Sequence, residues 1–151
     1  MRFALYPYVD AYLVEMIDLW IAAWTKAMPA IDFEARRTWG VDRLVHLRDS
    51  GVAITCAMDT TNGQMAGFIT LDLATGYIDQ LVVAPALWGT GVAEMLMNDA
   101  KARAPGALSL EVNQDNPRAV RFYKKHGFHR GAEGANATSG RKIWHYDWTR
   151  A

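Results

Sequence analysis

Residues 83–96, Val-Ala-Pro-Ala-Leu-Trp-Gly-Thr-Gly-Val-Ala-Glu-Met-Leu, hold the spacing in this chain best suited to binding an anion. An apolar run ends at Pro85, a glycine turn follows, and a helical pattern begins. Gly89 and Gly91 remove side chains, so main-chain N–H groups can approach a phosphate closely. The helix that starts there turns its positive dipole end to the same point. The segment therefore suggests a phosphorylated cofactor. Two common nucleotide motifs are excluded: a dinucleotide fingerprint needs a third glycine where Glu94 stands, and a triphosphate loop needs Gly-Lys-Ser/Thr, which is absent. Taken alone, the turn equally fits a tight strand-to-helix connection.

The elements around the turn follow from periodicity. Residues 2–6 read as a strand. Leu13, Met16, Ile17, Trp20 and Trp24 recur at helical spacing, and that helix should stop before Pro29. Asp32 reads as the N-cap of a second helix over 33–49. Strands are expected at 52–58, 64–73 and 77–83, with an Asn-Gly hairpin signal at 62–63. The helix after the glycine turn spans 90–103. A strand at 107–112, a helix at 116–126 and strands near 128–132 and 141–148 complete the order. This β-α-α-β-β-β-α-β-α-β-β succession implies one domain over residues 1–151, with a mixed sheet flanked by helices.

The helix at 116–126 supplies the second signal. Asn116, Ala119, Phe122, Tyr123, Gly127 and Phe128 spell Asn-x-x-Ala-x-x-Phe-Tyr-x-x-x-Gly-Phe. Asn116 can cap this helix, Pro117 suits its first position, and Ala119 and Tyr123 share a face with Asn116. The two patterns, in this order and spacing, resemble the GNAT superfamily of acyl-CoA-dependent N-acetyltransferases. The resemblance is carried by residues 64–130, and the element order extends it over the whole chain. It implies an α/β fold with a central, mostly antiparallel sheet and a splayed parallel strand pair, 77–83 and 107–112. It implies acetyl-CoA as co-substrate. The amides of Gly89, Thr90, Gly91, Val92 and Ala93 would hold the pyrophosphate, Leu81, Val82 and Val83 would pair with the pantetheine arm, and Asn116 and Ala119 would lie along it. Trp88 stands where the family has Gln or Arg, and its indole can pack against the cofactor instead. Glu94 in the first helical turn would repel a phosphate and is expected to point outward. Tyr123 matches the tyrosine that protonates the leaving thiolate.

Direct transfer needs a neutral amine, so a carboxylate or water chain near the thioester is useful. Glu111 shares a strand face with Ser109 and Asn113, opposite Leu108, Leu110 and Val112. It lies in Leu-Glu-Val, where ribosomal-protein alanine acetyltransferases of the superfamily place a catalytic glutamate, although a solvated or structural role fits it equally. Asp79 is the second candidate, on the face of Leu81 and Val83, where it would equally orient a loop. Cys56, the only cysteine, lies on an expected core strand, which argues against a covalent acyl-enzyme. The acceptor is expected near the first two helices, at Trp20, Trp24, Met28 and Phe33, although Trp20 and Trp24 equally suit a core. Trp144, Tyr146 and Trp148 mark a second aromatic region on the last strand.

Composition bounds the partners. The chain has 151 residues, 16 basic and 16 acidic, which gives no electrostatic reason to expect nucleic acid or a membrane surface. No signal peptide or spanning segment is read, so a cytoplasmic location is expected. Four scattered histidines have no ligand spacing, and no metal is expected. Arg118, Arg121, Lys124 and Lys125 form a basic helix face, solvated or in contact with the cofactor's ribose phosphate. The expected partner is a small-molecule or peptide amine acceptor, with a homodimer left open. The reading is an N-acetyltransferase acting by direct attack in a ternary complex. A non-catalytic acyl-CoA sensor or assembly module of the same fold is its rival.

Overall fold

The computed structural model describes residues 2–150. Its elements are β1 (Phe3–Pro7), α1 (Leu13–Ala27), α2 (Arg37–Asp49), β2 (Ala53–Asp59), β3 (Met65–Leu71), β4 (Ile78–Val83), α3 (Val92–Arg103), β5 (Ala107–Asn113), α4 (Pro117–Lys125), β6 (His129–Ala135) and β7 (Lys142–Thr149). Asp32 accepts a hydrogen bond from the Ala35 N–H at 3.1 Å, but it starts a 3-10 turn at Glu34–Arg36 rather than the α-helix itself. The α3 helix begins at Val92, later than expected. Gly91 before it sits at φ 93°, a left-handed conformation that interrupts a right-handed helix and favours glycine.

The expected mixed sheet resolves into two. Strands β1-β2-β3-β4 form an antiparallel sheet, and β5-β7-β6 form another. They meet in parallel at one point, Tyr77 beside Ser109, where the Ser109 N–H donates to the Gly76 carbonyl at 3.0 Å. Beyond it β4 and β5 splay. Gly76 is needed at this junction: its φ is 79°, and a Cβ there would come within 2.1 Å of the Ala107 carbonyl oxygen.

Apolar packing covers both faces of the first sheet. Met16, Ile17 and Trp20 of α1 pack with Ile54, Cys56, Phe68 and Val82 on one side. Leu96, Met97 and Ala100 of α3 pack with Ala57, Ile69 and Val83 on the other, joined by Leu108, Leu110 and Val112 of β5. A side chain the size of Phe68 or Ile69, almost fully buried here, contributes about 1.5–3 kcal/mol by leaving water. These two layers fix β4 in place, and β4 is the wall on which the site is built.

One irregularity in β4 changes the sequence reading. Ile69 faces Leu81 and Leu71 faces Ile78, so two residues of β4, Asp79 and Gln80, oppose the single Thr70. This is a β-bulge, which breaks side-chain alternation. The Gln80 N–H, displaced from the ladder, donates to Thr70 Oγ1 at 2.9 Å. Asp79, expected on the face of Leu81 and Val83, turns instead to α2, where Arg43 meets it.

Candidate functional site

The splay of β4 and β5 opens a cleft of about 760 Å³, walled by β4, β5, the start of α3 and the length of α4. It brings together the candidates Asp79, Leu81, Val82, Val83, Trp88, Gly89, Gly91, Val92, Ala93, Glu111, Asn116, Ala119 and Tyr123. Trp24 joins them from α1.

At the glycine turn, Gly89 and Gly91 have φ of 82° and 93°, and a Cβ on either would meet no atom within 4 Å. Backbone conformation, not crowding, selects glycine there. The first turn of α3 leaves its N–H groups without intrahelical acceptors, facing the cleft. Thr90 departs from the expectation: it is absent from the cleft lining, and its N–H donates to the Leu87 carbonyl at 3.2 Å. Glu94 also departs: it is exposed, yet it lies on the cleft rim rather than pointing away. Trp88 is held through its Nε1–H, which donates to the Val83 carbonyl at 2.9 Å.

The α4 helix is capped as its sequence predicts. Asn116 Oδ1 accepts from the Ala119 N–H at 3.3 Å, and Pro117 takes the first position. Tyr123 lines the cleft, packed edge-on against Phe128 at 5.5 Å between ring centroids and tilted against Tyr146 at 6.4 Å. Burial pushes its phenol well above the ordinary tyrosine value, so at neutral pH it is a proton donor. Arg118, Arg121 and Lys125, from the basic helix face, also line the cleft.

Both carboxylates are present but their surroundings differ. Asp79 is gripped by Arg43, whose Nε donates at 3.2 Å and whose Nη2 makes a second bond, and it accepts another from Gln80 Nε2 at 3.1 Å. Glu111 faces the cleft, one-third exposed, with His145 Nδ1 3.8 Å away across the β5–β7 pair. Among the described residues Glu111 has no Lys or Arg partner within ion-pair distance. Tyr77 stands near both; burial first, then the charges of Glu111 and Asp79, push its phenol up to about 12.

Three acceptor candidates lie elsewhere. Trp20, Met28 and Phe33 are 4%, 7% and 6% exposed and belong to the α1 core, not to the cleft. Helical spacing reports the buried face of α1, which carries Trp20, while Met28 and Phe33 follow the helix and pack into the same core. Trp20 does reach the site indirectly, its Nε1–H donating to Gln80 Oε1 at 3.2 Å. Trp144, Tyr146 and Trp148 also lie off the cleft, and Tyr146 is fully buried. The structure supplies Trp39, Arg43 and Tyr77 instead, none singled out by the sequence. Trp39 and Arg43 are four apart on α2, one helical face, and Trp39 is 40% exposed; a large aromatic on a polar helix was the available signal. Cys56 is fully buried, and its thiol is pushed up to about 12 by burial and then by Glu15, which makes it inert as a nucleophile.

Among the described residues no cluster of His, Cys, Asp or Glu could hold a metal ion, and no helix is long and apolar enough to cross a membrane. The profile of the acetyltransferase (GNAT) family matches residues 13–128. The chain is 41% identical over 70 residues to the peptidyl-lysine N-acetyltransferase YjaB of Salmonella typhimurium, a match covering 46% of either protein. It thus spans about half the length of that relative. The solution structure of apo YjaB from Escherichia coli superposes with a TM-score of 0.79 over 100% of both chains at 23% identity. PaiA N-acetyltransferase from Thermoplasma acidophilum, solved with coenzyme A, superposes with a TM-score of 0.78 at 17% identity, covering 99% of this chain and 100% of its own.

Proposed function

The chain belongs to the acetyltransferase (GNAT) family, and on that premise we propose that it moves the acetyl group of acetyl-CoA to a primary amine by direct attack in a ternary complex. Acetyl-CoA is the co-substrate of the family. The amine is a lysine side chain of a peptide or protein, in keeping with the relative named for that activity. The observation that carries the reading is the cleft itself, whose lining holds the glycine turn, Tyr123 and Glu111 together.

The pyrophosphate lies on the N–H groups of Gly89, Gly91, Val92 and Ala93. The pantetheine arm follows β4 at Leu81–Val83, past Asn116 and Ala119. Backbone N–H groups along β4 polarise the thioester carbonyl. Glu111, through a water, takes the proton of the incoming ammonium. The amine nitrogen attacks the thioester carbon, the carbon–sulfur bond breaks, and the Tyr123 hydroxyl gives its proton to the departing thiolate. The Asp79 oxygens are engaged by Arg43 and Gln80, so Asp79 orients these two side chains rather than meeting the amine.

Incubation with acetyl-CoA and a lysine-containing peptide tests this, with peptide mass and free thiol read together. Acetylated peptide and released coenzyme A in equal amounts are expected. Thiol release without acetylated peptide, or neither across a panel of amines, would contradict the proposal.

A further inference from the structure

The Trp88 indole gathers charge around it. The Arg118 guanidinium lies over its ring at 3.7 Å from the centroid, and the Lys26 ammonium at 4.8 Å. These are cation–π distances, and the shorter one is close contact. The ring cannot drift, because its Nε1–H is tied to the Val83 carbonyl at 2.9 Å. Trp88 thus links the glycine turn, the end of α1 and the start of α4.

Among the described residues neither Arg118 nor Lys26 has a carboxylate within ion-pair distance, although eight of the nine ion pairs in the structure use an arginine. Arg118 lines the cleft beside Arg121 and Lys125, while among the described residues Glu94 is the sole carboxylate lining that end. Partial desolvation, and then the charge of Arg121, lower the Arg118 pKa, the sign of a cation with no counter-charge beside it. A planar guanidinium fixed by stacking keeps its N–H edge free for an oxyanion, and that edge matches two phosphate oxygens.

We propose that Trp88 is a positioning residue that holds Arg118 over the glycine turn, so that Arg118 binds a phosphate of the acetyl donor by a side-chain charge added to the backbone N–H groups. This rests on the cleft being the acetyl-CoA site. The phosphate is either the pyrophosphate or the ribose 3′-phosphate.

Calorimetric titration of the full chain with coenzyme A, 3′-dephospho-coenzyme A and pantetheine tests the assignment. Arg118→Gln should weaken coenzyme A about tenfold, the order expected for one charge-assisted contact, and leave pantetheine within about twofold. Arg118→Lys should recover only part of that loss, since it keeps the charge without the planar stack. Trp88→Leu should weaken coenzyme A about as much as Arg118→Gln, and the double variant should be scarcely weaker than either, because one acts through the other. An effect kept with the dephospho compound assigns Arg118 to the pyrophosphate, and an effect lost with it assigns Arg118 to the 3′-phosphate. Unchanged coenzyme A affinity in Arg118→Gln, or equal weakening of pantetheine, would overturn the role of Arg118. Additive losses in the double variant would overturn the positioning role of Trp88. A wild-type chain that binds no coenzyme A would instead remove the premise, the acetyl-CoA site itself.

Discussion

At one end of the cleft, Trp88, Gly89, Gly91, Asn116, Arg118 and Tyr123 come from two short runs of chain. At the other, Trp24, Trp39, Arg43, Tyr77, Asp79 and Glu111 are assembled from α1, α2, β4 with its preceding residue, and β5. The first end works largely through backbone: a turn held by two glycines at positive φ and the exposed start of a helix. Its charged side chains are basic apart from Glu94. The second works through side chains, two of them carboxylates: Asp79 on a strand distorted by a bulge and Glu111 on β5. A donor shared by a whole family can be held by main-chain geometry. An acceptor that differs between enzymes must be read by side chains, which a fold can change without changing its backbone.

The largest expected effect joins the two ends. Tyr123→Phe removes the proton donor and should lower kcat about 10²-fold while acetyl-CoA affinity stays within about twofold. Unchanged kcat would leave the donor end as a binding surface only. Next, Glu111→Gln should cost about tenfold in kcat. Asp79→Asn should act mainly on the acceptor KM, through a released Arg43. A larger kcat loss in Asp79→Asn than in Glu111→Gln would exchange their roles.

The contrast also explains what could be read from the sequence. The glycine turn and the capped helix are legible in the sequence because their residues sit at fixed offsets within 83–96 and 116–128, where turn chemistry and helix caps are local. Thr90 escaped this reading because its N–H turns back on Leu87, a detail of loop conformation. The alternation of β5 was legible too, and Glu111 emerged on the expected face. Asp79 did not, because a bulge is a property of the β3–β4 pair and no single strand encodes it. The acceptor end was misread at Trp20, Met28 and Phe33 for a related reason. Apolar spacing on α1 places Trp20 on a buried face, and Met28 and Phe33 beyond the helix close over the same core, whereas Trp39 and Arg43 are visible only once α2 packs beside β4.

Smaller effects sharpen the division. Trp39→Ala should raise the acceptor KM about fivefold, the value of an exposed cation–π or apolar contact near 1 kcal/mol, with the acetyl-CoA KM unchanged. A shift in the acetyl-CoA KM instead would place Trp39 at the donor end. The smallest effect is one of pH. Burial raises the Tyr123 pKa above the ordinary value of about 10, so its proton stays on until the pH passes that raised value. The rate profile should therefore show no fall from tyrosine ionisation up to about pH 10. A decline beginning near pH 8 that Tyr123→Phe abolishes would contradict that protonation state.

Initial rates measured over a grid of acetyl-CoA and lysine-peptide concentrations test most directly the claim that both ends act at once. Direct attack in a ternary complex predicts reciprocal plots that intersect. Parallel lines, with acetyl trapped on the protein when the peptide is left out, would show a covalent intermediate and contradict the account.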